Sequence, residues 1–183
     1  MKKSLIIIIA VVLLCCCVAG TTFAWLMSKS QTITNTFVIG NVTIRLSEST
    51  PRNNKLLPGD LLVEDPKVTV KADSEDCWLF IKVDKSDNFD DFMDYKIQTG
   101  WIALDGYEGV YYREVALSDE DQVFGILLND KIYSKDTPTK EDYEDLNAST
   151  RPTIAFTAYG VQKLGYDTPL SAWNEVKDID YIT

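Results

Sequence analysis

The sequence has 183 residues, a formal charge of −10 at pH 7 and no histidine. The length suits one domain, and the acidic charge argues against nucleic acids and anionic lipid surfaces as partners. The lack of histidine excludes histidine-based catalytic triads and the usual zinc sites.

Residues 1–24 have the pattern of a secretory signal peptide. Two lysines precede an unbroken apolar and cysteine run from Leu5 to Ala19, and the small-x-small tripeptide Thr22-Phe23-Ala24 follows. We therefore expect signal-peptidase cleavage between Ala24 and Trp25. Cleavage there removes two lysines and no acid, so the charge becomes −12. The alternative is an uncleaved membrane anchor, although the apolar run is shorter than the roughly 20 residues that a bilayer span needs.

Cleavage at this point leaves an apolar segment at the new N-terminus. Trp25, Leu26 and Met27 come first, and Ile33 follows a polar stretch. Such a terminus must either fold back onto its own domain or add a strand to the open edge of a neighbouring subunit. Head-to-tail addition does not close, and therefore produces a filament.

The following residues predict a series of β-strands. The first, Thr36 to Ser47, alternates apolar and polar residues at its end, and Gly40-Asn41 indicates a bend within it. The stretch Cys77 to Asp84 is apolar on both faces, as is typical of a central strand covered on each side. Further strands are expected at residues 66–73, 121–134 and 151–163, a hairpin at 100–117, and short helices starting at Thr137 and Thr168.

These elements predict the fold class. About seven strands occur without regular alternation with long helices, which argues against a parallel α/β sheet. We expect an all-β protein, an antiparallel two-sheet jelly-roll-like sandwich with two or three short helices in loops. Only Cys77 remains after cleavage, so no internal disulfide can form, and we expect this thiol to be buried.

The acidic residues offer one candidate cation site. Asp84, Asp87, Asp90 and Asp91 lie close together in sequence, and calcium takes several convergent oxygens. The order of these residues is not that of an EF-hand, and the alternative is a solvated acidic loop. Convergence of the oxygens is the first test of such a site.

Catalytic motifs are lacking. The sequence has no nucleophile elbow, no metalloprotease motif and no phosphate-binding glycine loop, and no pair of carboxylates stands out. We expect neither enzymatic activity nor a cofactor. The aromatic residues Trp101, Tyr107, Tyr111 and Tyr112 suggest either a carbohydrate-binding platform or ordinary cross-strand packing, and the second interpretation is favoured.

Several segments together resemble a known family. They are the leader end Thr22-Phe23-Ala24, the first strand "TFVIGNVTIRL", the Pro58-Gly59-Asp60 turn, the strand "CWLFIKV" and the C-terminal "PTIAFTAYGVQKLGYDTPLSAWNEV". The chain is similar in these segments to the TasA/camelysin family of secreted bacterial matrix proteins. The likeness spans Thr21 to Val176.

The resemblance implies a jelly-roll fold, secretion, and processing by a SipW-type signal peptidase. It also implies assembly into extracellular biofilm-matrix or cell-surface fibres, in which Trp25 to Ile33 is donated to the next subunit and residues 34–36 form a hinge. The domains would then be a signal peptide (1–24), a donor strand and hinge (25–36) and a β-sandwich (37–183). The partners would be further copies of the chain and a possible minor matrix subunit. A metalloprotease activity described for some members is not carried over, because this chain has no histidine.

A different function stays open. The chain would then be a monomeric cell-surface module that binds a glycan or a host ligand and is anchored by an uncleaved N-terminal helix. The fate of residues 1–33 separates the two hypotheses.

Overall fold

The computed structural model describes residues 34–48, 58–59, 61–147 and 149–178. These residues form an all-β sandwich with three short helices, which confirms the predicted fold class. In chain order the elements are β1 (Thr34–Ile39), β2 (Ile44–Ser47), β3 (Leu61–Val63), β4 (Lys67–Val70), β5 (Cys77–Lys85), α1 (Phe89–Phe92), β6 (Met93–Ile97), β7 (Ile102–Ala103), β8 (Val110–Val115), β9 (Gln122–Gly125), β10 (Leu127–Ser134), α2 (Lys140–Glu144), β11 (Ile154–Gln162) and α3 (Pro169–Val176).

The first layer is a five-stranded sheet with the strand order β1-β11-β5-β8-β7. Strand β5 lies at its centre and pairs antiparallel with β11 and β8. Six of its first seven residues are buried, because both faces of the sheet are covered. The predicted central strand is therefore confirmed.

The second layer consists of two three-stranded sheets, β2-β4-β9 and β3-β10-β6. They are joined end to end, since β3 leads into β4 and β9 leads into β10 along the chain. Two backbone hydrogen bonds span the junction, from Glu64 N to Asp130 O at 2.9 Å and from Ile126 N to Pro66 O at 3.0 Å. The layer is thus one bent sheet with β2 beside β4 on one side and β6 beside β10 on the other.

The larger hydrophobic core lies between the two layers. Leu79 and Ile81 of the first layer are fully buried, together with Val68, Val70 and Leu127 of the second. This continuous apolar interior supplies most of the favourable free energy of folding, since the one cysteine among the described residues forms no disulfide.

A second core lies on the opposite face of the five-stranded sheet, under α3. Phe80 of β5 packs against Trp173 of the helix, with 5.4 Å between the ring centroids. The helix begins as predicted at Thr168, whose hydroxyl accepts a hydrogen bond from Ser171 N, with Pro169 in the first turn. In α2 the N-cap is Thr139, so the prediction of Thr137 was wrong.

The structure differs from the predicted elements in three places. The predicted strand from Thr36 to Ser47 is two strands in different layers, because Gly40 adopts a φ of +86° and the chain crosses the sandwich there. Residues 34–36, expected to form a hinge, belong to β1. The segment 93–97, where no strand was predicted, is strand β6.

Candidate subunit interface

Strand β1 is the edge of the five-stranded sheet nearest to the N-terminus of the chain. It runs parallel to β11, with Thr34 opposite Phe156 and Ile39 opposite Val161. All other strand pairs among the described residues are antiparallel. Among the described strands β1 has a neighbour on one side only, so its outer edge can accept a further strand.

Both faces of β1 carry apolar side chains that are incompletely covered. Val38 is 47% exposed. Phe37 and Ile39 point to the opposite face and are half-buried against the core under α3. The ring of Phe37 stacks on Tyr159, with 5.2 Å between centroids. A strand added beside β1 would therefore bury apolar surface on both faces of the sheet.

The sequence of β1 lacks the features that protect sheet edges in soluble proteins. Its six residues include no charge and no proline. By contrast, the edge strand β2 carries Arg45, β6 carries Asp94 and Lys96, and β7 is only two residues long. Charges and short length discourage edge-to-edge pairing, so β1 is the longest unprotected edge in the described part of the chain.

The connection from β1 to β2 is fixed by contacts to the end of β11 and to the loop between β4 and β5. Asn41 N donates a hydrogen bond to Gln162 Oε1 at 3.2 Å, and Glu75 N donates one to Asn41 O at 3.0 Å. Thr43 N donates to Ser74 Oγ at 3.1 Å. These bonds hold the C-terminal end of β1 in its own domain.

The predicted processing and donor residues lie N-terminal to this fixed strand. The cleavage residues Thr22, Ala24 and Trp25, and the donor residues Leu26, Met27 and Ile33, are outside the described residues. The described residues begin at Thr34, directly after the predicted donor segment and already within β1. A donated segment would therefore leave the domain at the N-terminal end of β1.

The candidate cation site is not assembled. Lys85 Nζ binds both carboxylate oxygens of Asp90, at 2.9 and 2.7 Å, and Lys82 Nζ lies 2.9 Å from Asp84 Oδ1. No group of three or more acidic or cysteine side chains suited to a metal occurs within the described ranges. The acidic residues at positions 84–91 instead form pairs with lysines or point into solvent.

The aromatic residues considered for a carbohydrate platform pack into the two cores instead. Trp101 is buried, and its indole nitrogen donates a hydrogen bond to Gly125 O at 2.8 Å. Tyr111 packs against the core between the layers, whereas Tyr107 and Tyr112 pack against the core under α3. Tyr111 and Tyr112 therefore face opposite sides of the sheet and cannot share one binding surface.

Arg113 occupies a position that the sequence did not single out. Its guanidinium lies 4.0 Å from the ring centroid of Phe124 and 5.2 Å from that of Trp101. Burial lowers the pKa of the guanidinium, and its Nε is buried without a hydrogen-bond partner among the described residues. Stacking of a cation on two aromatic faces stabilises it electrostatically. A hydrophobic strand pattern does not reveal such an arrangement.

Cys77 is buried at the start of β5, as predicted. Burial, and to a smaller extent the charge of Asp76, raises the pKa of its thiol to about 12. The nucleophilic form of cysteine is the thiolate, so this side chain is a packing residue at neutral pH.

No helix within the described residues is long and apolar enough to cross a membrane. Comparisons of the chain with family models, with curated proteins and with solved structures found no match. The resemblance to the TasA/camelysin family thus rests on the residues quoted above.

Proposed function

We propose that this chain is a secreted, non-enzymatic structural protein that assembles head to tail into extracellular matrix or cell-surface fibres. In this proposal a SipW-type signal peptidase cleaves after Ala24, and each subunit donates Trp25 to Ile33 to a sheet of the next subunit. Further copies of the chain are the main partner.

The observation that carries the proposal is the position and composition of β1. An uncharged edge strand follows directly after a segment that has apolar residues at both ends. An unprotected edge strand promotes association between chains, and soluble monomers generally block such edges with charges, proline or short strands. The first described strand instead combines an exposed Val38 with an edge free of charge and proline.

The surface features of the described residues suit strand addition. Within the described residues the thiol of Cys77 is buried, and the acidic side chains do not converge on a cation site. What the domain offers to a partner is backbone at its sheet edges and apolar side chains beside them. These are the features used in strand addition.

One observation favours the monomeric alternative. β1 pairs with its own β11 from Thr34 to Ile39, and Asn41 N donates a hydrogen bond to Gln162 of β11, so β1 itself is not the donated strand. If residues 25–33 also returned to their own domain, the chain would be a self-complemented monomer. The proposal therefore depends on where those nine residues bind.

The test is N-terminal sequencing of the exported protein together with negative-stain electron microscopy of the same sample. The full-length gene is expressed in a host with the matching signal peptidase. A chain that starts at Trp25 and forms filaments is the expected result. A chain that keeps Met1, stays with the membrane and forms no filaments would contradict the proposal and favour the anchored module.

A double variant, Leu26→Asp with Met27→Asp, tests the donor segment without altering the cleavage residues. We expect it to remain monomeric. The matched control is Leu164→Asp, which adds a charge at a loop leucine that is 84% exposed and should leave the filaments unchanged.

A further inference from the structure

Strand β3 is a further edge strand of the sandwich that carries exposed apolar side chains. Its residues Leu61 and Val63 point away from the core and are 46% and 48% exposed. Leu62 between them points inward and packs against the core between the layers. A strand at the rim of a sheet normally has polar residues on its solvent face, so the sequence "LLV" is unusual there.

The exposed residues of β3 continue into β10. Leu61 lies opposite Tyr133, which is 37% exposed. Together Leu61, Val63 and Tyr133 form an apolar strip on the outer face of the β3-β10-β6 sheet. The next strand, β6, is polar on this face, with Asp94 opposite Tyr133. The apolar surface is therefore concentrated beside the outer edge of β3.

The outer edge of β3 is also left uncovered by the neighbouring strand of its layer. Strand β2 pairs with β4 from Ile44 opposite Val70 to Ser47 opposite Lys67, and no described strand continues this line beside β3. β3 pairs only with β10 among the described strands. A donated strand placed here would extend the sheet and would cover the apolar strip.

The chain itself has a segment that fits this edge. Trp25-Leu26-Met27 is apolar at three consecutive positions, like Leu61-Leu62-Val63. Since side chains alternate between the faces of a strand, Trp25 and Met27 would lie on the solvent face beside Leu61 and Val63, and Leu26 would lie on the core side beside Leu62. Aromatic and β-branched neighbours on adjacent strands stabilise a sheet.

Length and charge agree with this pairing between two copies. The nine residues from Trp25 to Ile33 span roughly 30 Å when extended. The three residues of β3 need only about 10 Å, so the remainder can bridge from one subunit to β1 of its own domain. Subunits with a charge of −12 after cleavage repel each other. The strip itself and the apolar trio contain no charged side chain, and Lys131, which lies opposite Val63, is a cation, so the two can meet without repulsion between like charges.

We propose that the edge of β3, with Leu61, Val63 and Tyr133, is the acceptor site for Trp25-Leu26-Met27 of a second copy of this chain. This inference rests on the proposed function, because it names the surface that receives the donated strand. It assigns the two halves of the interface to different strands, with the donor before β1 and the acceptor at β3 rather than at the open edge of β1.

The test is Val63→Glu in the full-length exported chain. A glutamate at this position lies opposite Lys131. Because opposite charges on neighbouring strands attract, this pair limits the loss of stability of the folded monomer. The matched control is Val123→Glu on β9, where the valine is 59% exposed and lies opposite Thr69. Both variants add the same charge to an exposed strand valine. We expect Val63→Glu to raise the minimum concentration for filament formation at least tenfold and Val123→Glu to leave it unchanged.

Mixing two variants separates the acceptor from the donor. Val63→Glu keeps an intact donor segment, and the Leu26→Asp/Met27→Asp variant keeps an intact acceptor. At a concentration below the raised minimum for Val63→Glu, we expect neither variant to form filaments alone, and we expect the mixture to give one-to-one dimers on size-exclusion chromatography with light scattering. If Val63→Glu fails to fold by circular dichroism, Val63→Thr replaces it, since threonine retains β-branching and removes apolar surface.

The outcomes distinguish the two proposals. Filaments of Val63→Glu that equal those of the wild type, with monomers from the donor variant, overturn the acceptor at β3 and leave strand donation intact. A wild-type chain without filaments, or a donor variant that still forms them, overturns the proposed function. A mixture that gives no dimer also overturns the acceptor site.

Discussion

Gly160 of β11 lies directly beneath Val42, the residue with which the chain enters the second layer. A Cβ atom at Gly160 would come within 3.0 Å of Val42 Cγ1 and 3.1 Å of Ile44 Cγ2. The crossing from β1 to β2 therefore passes close to the backbone of β11, and a side chain at position 160 would force Val42 and Ile44 to shift by a few tenths of an ångström. Both Val42 and Ile44 are buried in the main core.

We expect Gly160→Ala to lower the free energy of unfolding by about 1–3 kcal/mol, as overpacking of a filled core does. The measurement is urea unfolding followed by fluorescence. Gly125→Ala is the control, because its added Cβ would meet nothing within 4 Å. Equal stabilities of the two variants would show that the crossing segment can move away from β11 without cost.

The buried thiol of Cys77 predicts a loss of stability in alkaline solution. Burial raises its pKa from the ordinary value of 9.0 to about 12 in the folded chain, so the unfolded chain releases the proton at lower pH than the folded chain. The protonated thiol therefore favours the folded state most below pH 9, and this contribution falls as the pH rises from about 9 towards 12. We expect a shallower decline of the free energy of unfolding in Cys77→Val than in the wild type over this range, measured by urea unfolding at a series of pH values.

The same residue predicts slow chemical modification. Native protein should react with a thiol reagent at pH 8 far more slowly than protein in denaturant, because the thiolate is scarce and the side chain is buried. Equal rates in the two states would show that the start of β5 opens readily.

The bend in β10 depends on two residues in the left-handed region. Asn129 has a φ of 58° and Asp130 a φ of 56°. Asparagine tolerates this conformation better than β-branched residues do. Asn129→Val should therefore lower the free energy of unfolding by about 1–2 kcal/mol, whereas Asn129→Gly should preserve or raise it. Thermal unfolding of both variants tests this prediction, and a stable Asn129→Val would mean that the bend relaxes.

Sequence patterns predicted those parts of the fold that depend on local chemistry. The central strand β5 was recognised because its residues are apolar on both faces, and α3 because Thr168 and Pro169 form a standard helix start. Asn129 and Asp130, where β10 bends, are a local signal of the same kind, since asparagine and aspartate are frequent in turns.

Features that depend on distant contacts could not be read in the same way. The strand predicted from Thr36 to Ser47 has a regular alternation, yet Gly40 and the space above Gly160 divide it between two layers. The parallel pairing of β1 with β11 joins segments about 120 residues apart. The exposed strip on β3 could not be predicted either. A run of three apolar residues does not show which strands will pair with β3 or which of its side chains will stay exposed.

The acidic charge leads us to expect that the proposed assembly depends on pH and on cations. In the proposed assembly, cleavage after Ala24 leaves each subunit with a charge of −12, and the resulting repulsion between subunits would be reduced by protons, by divalent cations and by salt. We expect light scattering to rise faster as the pH is lowered from 7 towards 5 at constant ionic strength, and faster with added calcium than with sodium chloride of equal ionic strength. The Leu26→Asp/Met27→Asp variant is the control, because it lacks the apolar donor residues and should not scatter more light under either condition. Scattering that stays constant across these conditions in the wild type would show that repulsion between subunits does not limit assembly.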